Sequence, residues 1–194
     1  MHYLVYNLRT VHTDLLSPAS LDPQEQAAYA RRGSRYLLIR TLLKRELARL
    51  SGEPAEDIRF TYSESGKPEY AAQPFNLSHS GDLLCLAFHH RPIGVDIERM
   101  QPRPRLGSVA RRIMSPAGYE DWLTRGNAAE EFYACWCAAE AMAKLCGGSV
   151  WQAQQRPFLY RAGHIVPLFE GAPQVELFEP APGYMGAVAT PAEP

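Results

Sequence analysis

Asp96 and Glu98 stand two residues apart in Gly94-Val95-Asp96-Ile97-Glu98, interleaved with Val95 and Ile97. Such alternation marks a half-buried strand, with both carboxylates on one face and both aliphatic side chains turned to a core. Two adjacent carboxylates repel each other unless a cation lies between them. A hard oxygen pair suits Mg²⁺ or Mn²⁺ better than zinc. A solvated edge strand has the same pattern, and 21 acidic residues in 194 make one such pair unremarkable. A third carboxylate comes from Trp136-Cys137-Ala138-Ala139-Glu140, followed by Lys144. On a helix Trp136, Glu140 and Lys144 share one face, which also describes a surface ion pair beside a core tryptophan. Asn76-Leu77-Ser78-His79-Ser80 lies just upstream of the acidic pair, at a strand end where histidines are commonly structural and serines commonly form turns. Brought into one site, these pieces supply three carboxylates, a histidine, a serine and a lysine. That set can hold a divalent cation and a phosphorylated substrate.

The elements that must position them are readable in outline. Tyr3 to Leu8 is an expected strand. Asp22 is an expected N-cap with Pro23 at the first helical position, opening a helical region through Leu50 that Gly33 divides. Tyr36, Ile39, Leu43, Leu47 and Leu50 form a core stripe. Arg40, Lys44 and Arg45 fall mainly off it, as a solvated face would. Ile58 to Tyr62 reads as a strand, with a turn at Ser65-Gly66. Phe75 to His79 and the apolar run Leu83 to Phe88 read as strands joined at Ser80-Gly81-Asp82. Pro102 and Pro104 delay a helix to about Arg105, and a second follows Ser115-Pro116. Four arginines, at 103, 105, 111 and 112, form either a solvated loop or a docking surface. Glu130 to Leu145 is alanine-rich and reads as a helix stopped by Gly147-Gly148. Pro157–Tyr160, His164–Phe169, Gln174–Phe178 and Tyr184–Ala189 read as a meander of antiparallel strands, and 191–194 as a frayed tail.

Composition narrows the function. The chain has 194 residues, enough for one domain or two tightly joined halves, and 46% are hydrophobic. A net charge of −1 and a pI near 6.6 give no case for non-specific nucleic-acid binding. No apolar run of membrane-spanning length and no signal peptide are visible, so a cytoplasmic protein is expected. Cys85, Cys135, Cys137 and Cys146 match no zinc spacing and are expected as reduced packing residues.

The pieces occur in the order of a known family. Gly66-Lys67-Pro68, Asn76 to Ser80, Gly94 to Glu98 and Trp136 to Lys144, with the arginine-rich segment Arg31 to Arg45, resemble the 4′-phosphopantetheinyl transferases, in particular the single-chain surfactin-type branch. The resemblance covers about residues 3 to 146. It implies an α+β fold of two similar halves with antiparallel sheets, related by a pseudo-two-fold axis, with the cofactor between them. The halves would be about 1–92 and 93–190 of one unit spanning 1–194.

The implied reaction moves the phosphopantetheine arm of coenzyme A to a serine of an acyl or peptidyl carrier protein and releases 3′,5′-ADP. By the same resemblance Asp96, Glu98 and Glu140 hold Mg²⁺, or Mn²⁺, and Glu140 and Lys144 are catalytic. Arg32, Arg35, Lys67, Ser78, His79 and Lys144 bind coenzyme A. No nucleic-acid or membrane partner is implied, and a monomer is expected. The family usually has a lysine where this chain has Ala139, and a lysine there is expected to reach the pyrophosphate and speed the chemistry. A metal-dependent phosphohydrolase of a nucleotide, or a non-catalytic coenzyme A-binding relative, would use the same residues.

Overall fold

In the computed structural model, which describes residues 1–64 and 66–192, the N-terminal helices start as the sequence dictates. The Asp22 side chain accepts the Glu25 N–H while the Glu25 carboxylate accepts the Asp22 N–H, with Pro23 in the first turn. This reciprocal cap opens α1 (Pro23–Arg32). Gly33, at φ +69°, ends α1 and lets the chain restart at once as α2 (Ser34–Ser51). Tyr36, Ile39, Leu43 and Leu47 of the stripe are buried, and Leu50 packs half-buried at its end.

One expectation for α2 is overturned. Arg40 and Lys44 are buried rather than solvated, and only Arg45 is exposed. Lys44 Nζ lies 2.7 Å from Glu25 Oε2, and both side chains are fully buried. Arg40 Nε donates to the Tyr36 hydroxyl at 2.9 Å and stands 3.5 Å from Glu25 Oε1. Because α1 lays Glu25 over α2, the two cations follow their counter-ion inward.

Two three-stranded antiparallel sheets share one strand order. The first contains β1 (His2–Asn7), β4 (Phe75–Ser80) and β5 (Leu83–Phe88), ordered β1-β5-β4. The second contains β6 (Gly94–Arg99), β9 (Gln174–Phe178) and β10 (Tyr184–Thr190), ordered β6-β10-β9. In each, the last strand of the series lies between the first and the next to last. Each sheet also carries one 18-residue helix: α2 over the first, and α5 (Ala129–Cys146) over the second. A two-stranded pair precedes the terminal hairpin in both halves, β2 (Thr61–Tyr62) with β3 (Pro68–Glu69), and β7 (Phe158–Arg161) with β8 (His164–Pro167). The mixed α+β class and the repeated half are therefore direct features of the topology.

α3 (Leu106–Ile113) and α4 (Pro116–Thr124, capped by Ser115) follow β6 as expected. α5 ends at Gly147, in the left-handed region at φ +72°. Two strand expectations change. Ile58 to Tyr62 forms a strand only at Thr61–Tyr62, because Ile58 and Phe60 enter the core from irregular chain. The C-terminal strands form two separate hairpins rather than one meander. β10 commits its two edges to β6 and β9, β8 ends on Pro167, and the link to β9 carries Gly171 and Pro173. Ser65 of the expected turn, and residues 193 and 194 of the tail, lie outside the described residues. Among the described residues the cysteines are free, with Cys85, Cys135 and Cys137 buried. No helix among them is long and apolar enough to cross a membrane.

Candidate active site

The two sheets meet where β4 runs beside β6, and side chains rather than a backbone ladder join them. Asn76, Ser78 and Ser80 alternate along β4, so all three point the same way. The Asn76 side-chain oxygen accepts the Val95 N–H at 2.9 Å. Ser78 Oγ donates to Asp96 Oδ1 at 2.8 Å, and Ser80 Oγ donates to Glu98 Oε2 at 2.7 Å. Ser80 Oγ also accepts the Arg99 N–H at 3.0 Å. The Asn-x-Ser-x-Ser spacing is thus a set of staples that hold the acidic strand in register. Sequence reasoning put Asn76 and Ser80 in the motif without a role. The i, i+2, i+4 spacing was the available signal.

α5 supplies the remaining groups. It crosses β6 so closely that its backbone lies against Gly94, which has no side chain to keep it away. Lys144 Nζ then reaches Asp96 Oδ1 at 2.7 Å and the Val95 carbonyl at 3.0 Å. Trp136, Glu140 and Lys144 line one recess together with Ser78, His79, Asp96 and Glu98. The expected pieces therefore do come together. Burial raises the Glu140 carboxyl above its ordinary range, with a further push from Asp96 and Glu98 and an opposing pull from Lys144. Asp96 is buried, with Oδ1 engaged by Lys144 and Ser78, and Oδ2 bare of any partner. Glu98 is held by Ser80 and by Arg103, whose Nη2 lies 3.5 Å away.

Two further recesses adjoin this one. Arg32, Arg40, Lys67 and Lys144 line the first, with Gly66 and the Gly147-Gly148 backbone. Arg32, Arg35 and His79 line the second, over Tyr36. Lys144, His79 and Arg32 are each shared by two recesses, so the three form one continuous cleft, acidic at one end and cationic along the rest. Lys67 Nζ donates to the Lys144 carbonyl at 3.1 Å, and burial followed by the charge of Lys144 lowers its pKa, against a pull from Glu69. Desolvation within the cleft, then Arg35, Lys144 and Arg32, depress His79 below its ordinary value. The shift favours its neutral form. Arg40 belongs to the cleft and was not among the expected site residues, because its place on α2 looked like a solvated face.

Ala139 does not face the cleft. It is 2% exposed, in the core cluster beneath α5. A lysine there would have to leave the core before meeting any phosphate, so the expected gain in rate does not follow from this position.

The donor set suits a hard cation. Three carboxylates line one recess, one buried carboxylate oxygen has no hydrogen bond, and burial, then Asp96, push Glu140 toward its neutral form. Among the described residues no three His, Cys, Asp or Glu groups stand as a ready-formed cluster. Lys144 and Arg103 are the cations that meet Asp96 and Glu98 instead.

Comparison with known proteins agrees with this geometry. The profile of the 4′-phosphopantetheinyl transferase superfamily matches residues 92–185, from just before β6 into β10. The 4′-phosphopantetheinyl transferase AcpT of Escherichia coli K12 is 34% identical over 156 residues, 76% of each chain. The 4′-phosphopantetheinyl transferase Sfp of Bacillus subtilis 168 is 31% identical over 137 residues, 68% of this chain and 60% of Sfp. Among solved structures, the Thermotoga maritima holo-[acyl-carrier-protein] synthase superposes on 53% of this chain and 64% of its own, at a TM-score of 0.43 and 20% identity. With the acidic strand, the stapling serines and the α5 face in one cleft, and three quarters of a curated transferase matched along its length, the chain belongs to the 4′-phosphopantetheinyl transferase superfamily, in its Sfp-like branch, and is an enzyme of that class.

Proposed function

We propose that this enzyme transfers the 4′-phosphopantetheine arm of coenzyme A to a serine of an acyl or peptidyl carrier protein, releasing 3′,5′-ADP. The observation that carries the reading is the continuous cleft, in which a carboxylate recess opens onto a lobe lined by cations. The arm's pyrophosphate needs charge neutralisation and in-line approach by the serine. The phosphate on the ribose needs cations away from the reacting centre.

In this reading Asp96, Glu98 and Glu140 would hold Mg²⁺, or Mn²⁺. A bound divalent ion would neutralise pyrophosphate charge and lower the energy of the departing nucleotide. Lys144 lines both the acidic and the cationic recess, which suits it to a pyrophosphate oxygen and to transition-state charge. The carrier serine oxygen forms a bond to the β-phosphorus as the bond to the α-phosphate oxygen breaks. Glu140, beside the reacting centre, would take the serine proton. Arg32, Arg35, Lys67 and His79 would contact the charged nucleotide end, with Ser78 fixing Asp96 beside it. The whole chain acts as one unit, with halves of about 1–92 and 93–190 meeting at β4 and β6. Mass spectrometry of a carrier protein after incubation with coenzyme A and Mg²⁺ tests the reading. A mass gain equal to the arm is expected, and hydrolysis of coenzyme A with no gain on the carrier would refute it.

The state of His79 gives a second expectation. A phosphate placed beside it raises its pKa, so the complex binds more protons than the free enzyme. This contribution to affinity is complete below the free-state pKa and is lost as pH rises through the complex's higher one. Calorimetry in two buffers of different ionisation enthalpy should report proton uptake on binding coenzyme A just below neutral pH. His79→Gln should abolish that part of the uptake. The same uptake in parent and variant would remove His79 from the phosphate.

A further inference from the structure

Arg103 touches a residue of the acidic recess, yet the proposed reaction leaves it without a part. Its Nη2 stands 3.5 Å from Glu98 Oε1, while Ser80 Oγ donates to Glu98 Oε2 at 2.7 Å. Both oxygens of Glu98 therefore have partners, and a divalent ion held by Glu98 must displace Arg103 or share the carboxylate with it. The backbone beneath Arg103 is constrained. Pro102 precedes it, and Pro104 follows it and restricts its torsions. The hydroxyl of the fully buried Tyr133 accepts the Gln101 N–H at 3.0 Å and donates to the Gln101 carbonyl at 2.7 Å. The Arg103 guanidinium lies over the same ring, 5.5 Å from its centroid. Its side chain is 39% exposed, so it can leave Glu98 by a rotamer change alone, on a backbone that stays in place.

We propose that Arg103 is an internal counter-ion that competes with the divalent cation for Glu98 and so sets how tightly the enzyme takes that cation. The inference rests on the metal assignment above. Asp96, Glu98 and Glu140 line the recess, and Lys144 and Arg103 each oppose the charge of one of them, Asp96 and Glu98. A divalent ion therefore meets carboxylates that are already largely neutralised, and it is repelled by the two cations beside them. Lys144 is held by the Val95 carbonyl as well as by Asp96. Arg103 is the more exposed of the two cations and the one that can swing clear. With Arg103 on Glu98, the recess has little affinity for a cation that arrives without an anionic substrate.

Titration with Mn²⁺, with the free ion counted by electron paramagnetic resonance and no coenzyme A present, compares the parent with Arg103→Gln, Arg103→Lys and Arg105→Gln. Arg103→Gln should bind Mn²⁺ about threefold to tenfold more tightly, through release of one half-exposed ion pair and removal of one repelling charge. Arg103→Lys keeps the charge and should gain less. Arg105→Gln removes the same charge from the exposed start of α3 and should change little. Equal gains in Arg103→Gln and Arg105→Gln would reduce the effect to overall charge and overturn the proposal. An unchanged Mn²⁺ affinity in Arg103→Gln would also overturn it, and a fall in melting temperature alongside would leave Arg103 only a brace between Glu98 and Tyr133. Failure of the parent to bind Mn²⁺ with or without coenzyme A, or binding that Asp96→Asn does not weaken, would instead remove the metal assignment, and the proposal with it.

Discussion

Asp96→Ala should abolish transfer while the protein still binds coenzyme A. One buried carboxylate ties the cleft together: it accepts from Lys144 at 2.7 Å and from Ser78 at 2.8 Å, and its second oxygen is buried without a hydrogen bond. Its removal takes away the proposed cation ligand best shielded from water and frees Lys144 from its anchor. Losing one preorganised electrostatic contact costs about a hundredfold to a thousandfold in rate, and two are lost here. The spacing of Asp96 and Glu98 alone predicts relief of carboxylate repulsion and a gain in stability. The structure argues the reverse. Lys144 is 28% exposed and Asp96 8% at the side chain, so deletion leaves a half-buried ammonium short of its partner, and a modest loss of stability follows. Asp96→Asn keeps the shape and should match the loss of rate with less loss of stability. Single-turnover transfer at saturating Mg²⁺ decides it. A rate equal to the parent's would eliminate Asp96 as a cation ligand.

Much of this site was legible before any coordinates, and the reasons are local. Strand alternation put Asp96 and Glu98 on one face, helical spacing aligned Trp136, Glu140 and Lys144, and Asp22-Pro23 fixed the start of α1. These signals act within a few residues, so the chain itself carries them. What escaped was decided by distant partners. Arg40 and Lys44 have the periodicity of a solvated face, yet Glu25 from the preceding helix draws them into the interior. Ala139 adjoins Glu140 in the chain, yet one step along a helix is about 100° of rotation, and that step turns it into the core. The C-terminal strands have the right residues for a meander, but only pairing with β6, about ninety residues upstream, determines that β10 takes the middle of the sheet. The repeated half was likewise invisible in the residues, because strand order is a property of pairing, and different side chains satisfy the same pairing twice.

Gly94→Ala should damage the enzyme through the fold rather than the chemistry. A Cβ at this position would stand 2.0 Å from the Ala141 carbonyl oxygen and 2.7 Å from the Leu145 nitrogen. Both are helix backbone and cannot rotate aside. The methyl must therefore push α5 off β6. Overpacking a well-filled core costs about 1–3 kcal/mol, and contact with rigid backbone puts this variant at the upper end. At roughly 2–4 °C per kcal/mol for a chain of this size, the melting temperature should fall by about 6–12 °C. Should the helix shift instead of the fold failing, Glu140 and Lys144 travel with it, and displacement by about 1 Å can cost a hundredfold in rate. Gly186 on β10 is a fitting control. A Cβ there would stand 2.6 Å from the Phe178 ring, a side chain that can swing, so Gly186→Ala should cost less in both melting temperature and transfer rate. The glycine that opens the acidic motif is thus a spacing element: its missing side chain is what lets the helix bring its glutamate and lysine down onto the acidic strand. A Gly94→Ala protein with the parent's melting temperature and transfer rate would show that α5 is not seated on β6 in this way, and the shared cleft would lose its structural basis.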